Sequence, residues 1–169
     1  MIIRPVMTDE IAALSALASR TYAETFGASM SPADLAMQLK TTRSEDYFRN
    51  VVREDAILVA VMADAIVGYL QISDLRIPIA DAADADQELF ALYVGAEWQG
   101  QGVGKTLMEA ALAHERFRRA PRIYLDVWDE NARAIGLYVG CGFKSAGRRD
   151  FVVNGRVVGS DLVMVLQRS

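Results

Sequence analysis

VGAEWQGQGVGKT, Val94 to Thr106, is the stretch whose reading decides the fold. Glycines stand at 100, 102 and 104, and Lys105-Thr106 follow them. ELFALYV enters the stretch from Glu88 as an apolar strand, and GVGKTLMEAALAHERF leaves it as a helix. A strand, a glycine turn and a helix start together make a place for phosphate. The turn directs backbone N–H groups into one concavity, and the helix N-terminus adds free N–H groups and a positive dipole end. Glycine is required where a Cβ would block close approach to the backbone.

Counting separates the kinds of phosphate loop. A nucleotide-hydrolase loop needs four residues between its first glycine and Gly-Lys-Thr. Gln99 stands at that first position, and Gly100 leaves only three residues. The loop is one residue short, although IYLDVWD offers the acidic strand that such enzymes also carry. The dinucleotide pattern fails as well, because its last glycine falls at Lys105.

Outward from the turn, IIRPV reads as a strand, and Thr8 as the cap of a helix reaching about Tyr22. Ser31-Pro32 starts a second helix, and a third spans about Ser44 to Arg53. AILVAVMADAIVGYLQI reads as two strands about Met62-Ala63-Asp64, a connection so short that the strands are antiparallel. RIYLDVW is a strand and NARAIGLYVGC a short helix. Two last strands, about Lys144–Val153 and Val157–Leu166, meet at Asn154-Gly155, a hairpin turn signal. This order predicts an α/β fold with a mixed, mostly antiparallel sheet and helices on both faces.

The length of 169 residues suits a single domain over 1–169. A net charge of −4 without a basic run argues against nucleic acid as a partner. Cys141 is the only cysteine, which excludes an internal disulfide and a thiolate metal cluster; no metal is expected. His114, the only histidine, reads as a surface or packing residue. The N-terminus lacks a secretory pattern, and the apolar region Ala56–Ile72 is broken by Asp64 and Gly68, so no membrane span is expected. The expectation is a soluble, cytoplasmic protein.

QGQGVG, Gln99 to Gly104, resembles the Q/R-x-x-G-x-G/A signature of the GNAT N-acetyltransferase superfamily. NARAIGLYVGCGF, Asn131 to Phe143, resembles the second motif of that family, in the right order and at the right separation. Within the family, TYAETFG, the Trp in LDVWDENARAIGLY and the FVVNG…DLVM ending resemble the bacterial PaiA-type spermidine/spermine acetyltransferases. The resemblance implies a GNAT-like sheet of six to seven strands with a splayed central strand pair. It implies acetyl-CoA as co-substrate and a small-molecule amine, polyamine-like in the narrower comparison, as acceptor. Direct attack of the amine on the thioester is then expected. Peptide N-termini and amino acids are alternative acceptors; a P-loop-like nucleotide binder and a non-catalytic CoA-binding module are alternative classes.

The resemblance also assigns residues. Gln99 shapes the loop, and N–H groups over Gly100, Gln101, Gly102, Val103, Gly104, Lys105 and Thr106 take the pyrophosphate. Leu92, Tyr93 and Val94 run beside the pantetheine arm, and Asn131 lies near it. Tyr138 is the acid for the leaving thiolate. For the base, Glu88 stands at the spacing of a family glutamate, and Asp126 and water are its rivals. In a regular strand Glu88 shares a face with Phe90 and Leu92. Tyr22 and Trp128 are candidates for the acceptor pocket or the core. The acidic run DAADADQE, Asp81 to Glu88, is a candidate attractor for a polyamine. The final strands are compatible with a homodimer.

Overall fold

Two short turns set the order of the strands. Ala63 and Asp64 take positive φ of 47° and 60°, and Asn154 and Gly155 take 51° and 76°. Consecutive left-handed residues match the twist of the strands they join, so each turn folds its two strands into a hairpin. The computed structural model describes residues 1–168. Its strands are β1 (Ile2–Pro5), β2 (Ala56–Met62), β3 (Ala65–Asp74), β4 (Gln87–Val94), β5 (Arg122–Trp128), β6 (Lys144–Val153) and β7 (Arg156–Gln167). They form one seven-stranded sheet in the order β1-β2-β3-β4-β5-β7-β6. Every neighbouring pair is antiparallel except β4 and β5.

The helices are α1 (Ile11–Phe26), α2 (Pro32–Thr42), α3 (Glu45–Val51), α4 (Val103–Ala113), α5 (Glu115–Arg119) and α6 (Ala132–Gly140). Ser31 and Ser44 cap α2 and α3, accepting from the N–H groups of Asp34 and Tyr47. Thr8 does not cap α1. It begins a short 3₁₀ turn, where Glu10 reaches back to accept from the Met7 N–H at 2.9 Å. α1 also runs one turn past Tyr22, to Phe26. The long helix expected after the glycine turn breaks at His114, whose Nδ1 accepts from the Arg116 N–H and starts α5. Among the described residues no helix is long and apolar enough to cross a membrane.

Two apolar layers cover the sheet. One joins Leu70, Ile72, Leu89, Ile123 and Leu125 to Leu107 and Met108 of α4 and Phe117 of α5. The other joins Val59, Tyr69 and Ala91 to Leu14, Leu17 and Ala18 of α1 and Phe48 of α3.

The centre of the sheet is where the site is made. β4 and β5 pair only through Gln87↔Ile123 and Glu88↔Tyr124, and beyond Glu88 they separate. β4 is also bulged. Ala91 lies opposite Gln71 and Leu89 opposite Ile72, so Phe90 is an extra residue. The bulge changes the alternation of faces. Leu89, Leu92 and Val94 pack toward α4, whereas Phe90, Ala91 and Tyr93 pack toward α1. Glu88 therefore shares the α1 face with Phe90 and Tyr93, and not with Leu92 as a regular strand would have it.

Candidate active site

A cleft of about 720 Å³ opens where β4 and β5 part. It passes from one face of the sheet to the other. On the α4 side it is lined by the glycine turn with Asn131, Leu137 and Tyr138; on the α1 side by Glu24, Phe26, Phe90, Asp126 and Trp128. β3 pairs with β4 as far as Val94, but β5 leaves after Glu88. The opposite edge of β4 from Leu89 to Val94 has no strand partner and borders the cleft. Backbone amides without a ladder partner need a ligand, water or a side chain. Gln99 supplies one such bond, its Nε2 donating to the Val94 carbonyl at 3.0 Å.

The glycine turn is built for approach from this side. Gly100 and Gly102 take φ of 76° and 84°, and a Cβ on either would meet nothing within 4 Å. Their freedom serves the backbone conformation. Gly102 caps α4, and the Thr106 N–H closes the first helical turn on its carbonyl at 3.0 Å. The free amides of the helix start are therefore those of Val103, Gly104 and Lys105. The Thr106 amide is spent, and its hydroxyl also donates to Gly102 at 3.0 Å. Gln101 turns away, donating to the Glu97 carbonyl, and neither Gln101 nor Thr106 lines the cleft. Arg133, which carried no expectation, donates to Gln99 Oε1 at 2.6 Å and fixes the loop against α6.

α6 presents the second cluster. Asn131 caps it, accepting from the Ala134 N–H at 3.2 Å. Tyr138, 6% exposed, packs on Phe143 with ring centroids 6.0 Å apart. Burial pushes its phenol well above its ordinary range, with the Tyr93 phenol and the Asp126 carboxylate adding to the effect. Burial thus favours the protonated phenol, the form that can donate a proton. Leu92, Tyr93 and Val94 also line the cleft.

The candidate bases are placed differently. Asp126 lines the cleft just past the point of separation. Burial raises its affinity for a proton, and the Arg149 guanidinium, 3.2 Å away, opposes that rise. Glu88 is 3% exposed and lies outside the lining. Its Oε2 accepts from the main-chain N–H groups of Arg76 and Ile77 at 2.7 and 3.0 Å, fixing the loop after β3. Burial raises its pKa, and those two bonds offset part of the rise. The acidic run is not beside the cleft either. Arg122 binds Asp81 and Asp86, each at 2.8 Å, and offsets one of the four negative charges of the run.

The acceptor-side wall is aromatic and acidic. Phe26 packs on Trp128 at 5.6 Å and on Phe151 at 5.4 Å. Tyr22 stands behind this wall, between Phe26 and Tyr93, in the core. Thr21, Glu24 and Thr25 reach the cleft from the last turns of α1. The TYAETFG segment spans this part of α1, but its spacing alone does not say which of its residues face a ligand. Among the described residues no group of three His, Cys, Asp or Glu side chains is placed to hold a metal ion.

Comparison with known proteins agrees with this architecture. The chain is 32% identical to an uncharacterized N-acetyltransferase of Mycobacterium tuberculosis, over 90% of this chain and 94% of the relative. It is 35% identical to the spermidine N(1)-acetyltransferase of Vibrio cholerae over 46% of this chain and 47% of that one. Its fold matches the crystal structure of the PaiA N-acetyltransferase of Thermoplasma acidophilum in complex with coenzyme A. The TM-score is 0.77, with 21% identity and coverage of 99% and 98% of the two chains. The model of the acetyltransferase (GNAT) family matches residues 13–143, and with the split sheet and glycine turn this places the chain in the GNAT acetyltransferase family.

Proposed function

We propose that this protein moves an acetyl group from acetyl-CoA to the primary amine of a small cationic acceptor. The observation that carries the reading is the unpaired edge of β4 running into the glycine turn, beside a cleft open to both faces. An extended chain with its own amide groups fits that edge in the manner of a strand. A pyrophosphate fits the free amides of Val103, Gly104 and Lys105, with Gln99 holding the turn and Leu92, Tyr93, Val94 and Asn131 beside the arm.

Acetyl-CoA supplies a thioester; the amine nitrogen bonds to the acetyl carbon as the carbon–sulfur bond breaks. Tyr138 gives its phenolic proton to the departing thiolate, and the second proton that the nitrogen sheds as the amide forms returns the phenolate to its neutral state through water. The attacking ammonium must lose a proton first, and Asp126 is the acceptor of choice, directly or through water, because it alone of the two carboxylates faces the cleft. Glu88 feels the Asp126 charge but is held by the Arg76 and Ile77 amides, outside the cleft lining. Glu24, Asp126 and Glu130 among aromatic rings favour a cationic acceptor of the polyamine kind. The spermidine acetyltransferase relative supports the same choice.

The test is release of CoA thiol on mixing acetyl-CoA with polyamines, amino acids, aminoglycosides and peptide N-termini. Amine-dependent release with a polyamine is the expected result; binding of ATP in place of acetyl-CoA, or no release with any amine, rejects the reading. Tyr138→Phe should lower kcat roughly a hundredfold with little change in acetyl-CoA affinity. Unchanged turnover would assign the acid elsewhere.

A further inference from the structure

Among the described residues Arg149 is the one cation in an ion pair with Asp126. It stands on β6, at the edge of the sheet, and its Nη1 donates to Asp126 Oδ2 at 3.2 Å across the whole width of β7. Two strand spacings are about 10 Å, a gap that the Arg149 and Asp126 side chains close together. Arg149 lies opposite Asp161, which lies opposite Trp128, two residues beyond Asp126. Asp126, Asp161 and Arg149 thus share one face and form a cluster of two carboxylates and one guanidinium. Among the described residues Arg149 is the only side chain that hydrogen-bonds to Asp126. The pair is partly buried, 39% and 29% exposed at the side chains, so solvent screens it only in part.

Besides Arg149, the groups coupled to the Asp126 charge are acidic, and the cations Lys105 and Arg133 line the same cleft from α4 and α6. Glu88 and Tyr93 approach from β4, Tyr138 from α6 and Asp161 from β7. Glu24 of α1 lines the same cleft, and Asp129 follows on β5's own end, held by Arg148. Asp161 shows the crowding. Burial first, then the Asp126 charge, raise it to about 6, while Arg149 pulls the other way. Without Arg149, carboxylates at this spacing would compete for protons, and the one in the cleft would turn toward its neutral form.

We infer that Arg149 is a positioning residue, fixing the place and charge of the Asp126 carboxylate in the cleft from two strands away. This rests on the reading of Asp126 as the proton acceptor. Arg149 never touches the reacting atoms. Its guanidinium binds one carboxylate oxygen, Oδ2, and makes no hydrogen bond to Oδ1. The planar fork suits one fixed geometry, and a lysine retains the charge without it.

The experiment compares pH profiles of kcat/KM for wild type, Arg149→Met, Arg149→Lys and Asp126→Asn, with a carbon NMR titration of the Asp126 carboxyl in the first three. In Arg149→Met the acid limb should move to higher pH, with activity on that limb down roughly tenfold and activity on the plateau nearly retained. Arg149→Lys should recover part of the shift, and acetyl-CoA affinity should not change. A merely structural role would lower activity equally at every pH. If Asp126→Asn removes the limb but Arg149→Met leaves it in place, the positioning role is overturned and the proton-acceptor reading stands. If Asp126→Asn keeps the limb, the acceptor reading fails, and the NMR titration decides for Arg149: identical Asp126 titrations in wild type and Arg149→Met overturn it.

Discussion

Gly102 and Gly104 stand two residues apart in one turn and answer to different demands. Gly102 is held at φ 84°, where an L side chain costs roughly 1–2 kcal/mol even though its Cβ would meet no neighbour. Gly104 lies inside α4, and an added Cβ would only reach ordinary contact with Leu137 Cδ2 at 3.4 Å. Alanine also favours the helix by about 1 kcal/mol. Gly102→Ala should therefore lower the melting temperature, while Gly104→Ala should hold or raise it. For acetyl-CoA the order reverses in kind: Gly104→Ala places a methyl among the free amides and should weaken binding about tenfold, read by calorimetry. Equal loss of stability in both variants would refute the distinction. Arg43 illustrates a third demand. It is 5% exposed, among the described residues it pairs with no carboxylate, and its guanidinium lies 4.8 Å from the Tyr22 ring and 5.4 Å from the Tyr93 ring. The tyrosine faces offset the cost of that buried charge.

At the scale of elements, the join between β1 and α1 depends on one carboxylate. Glu10 accepts from both Arg4 nitrogens, at 2.8 and 2.6 Å, and from the Met7 N–H. The Arg4 hydrogen bonds bring its pKa from 4.5 down to about 2. A carboxyl depressed on folding stabilises the protein above its unfolded pKa and loses that contribution as pH falls through the folded one. Thermal unfolding of Glu10→Gln should therefore fall below wild type at neutral pH, and the two should converge between pH 4.5 and 2. A gap that persists below pH 2 would mean that packing, not charge, makes the join. The sequence told which elements exist far better than how they end. The hairpin turns and the glycine turn were legible because positive φ leaves a chemical trace in Asn-Gly and in spaced glycines. The bulge at Phe90 left none: Leu89 through Val94 are all apolar or aromatic, so a shift of face breaks no visible alternation. That hidden residue is why parity put Glu88 beside Leu92. The Asp81–Glu88 run misled for another reason, since Arg122, which ties down two of its carboxylates, lies 36 and 41 positions away in the chain. Arg149 on an exposed strand has no signature at all until three strands are laid side by side.

For the molecule as a whole, the cleft is lined from both faces of the sheet. In the function proposed above, acetyl donor and amine enter from opposite faces and meet in one complex, so no acyl-enzyme is required. Cys141, the only thiol, is outside the cleft lining, and burial raises its pKa, which makes it a poor nucleophile. Initial-rate plots should intersect, as a ternary complex demands, and Cys141→Ser should keep nearly full activity. Parallel lines, or loss of activity on removing the thiol, would point to a covalent intermediate.

The brief contact between β4 and β5 has a mechanical side. Among the described residues, two leaves, β1 to β4 and β5 to β7, pair over two residue pairs and share an apolar layer. Whatever fills the gap acts as a rivet as well as a reactant. At a hundred times its dissociation constant a bound ligand adds about 2.7 kcal/mol to stability. Much of that would fall on the seam, so the same filling that readies the chemistry also decides how far the two leaves breathe apart.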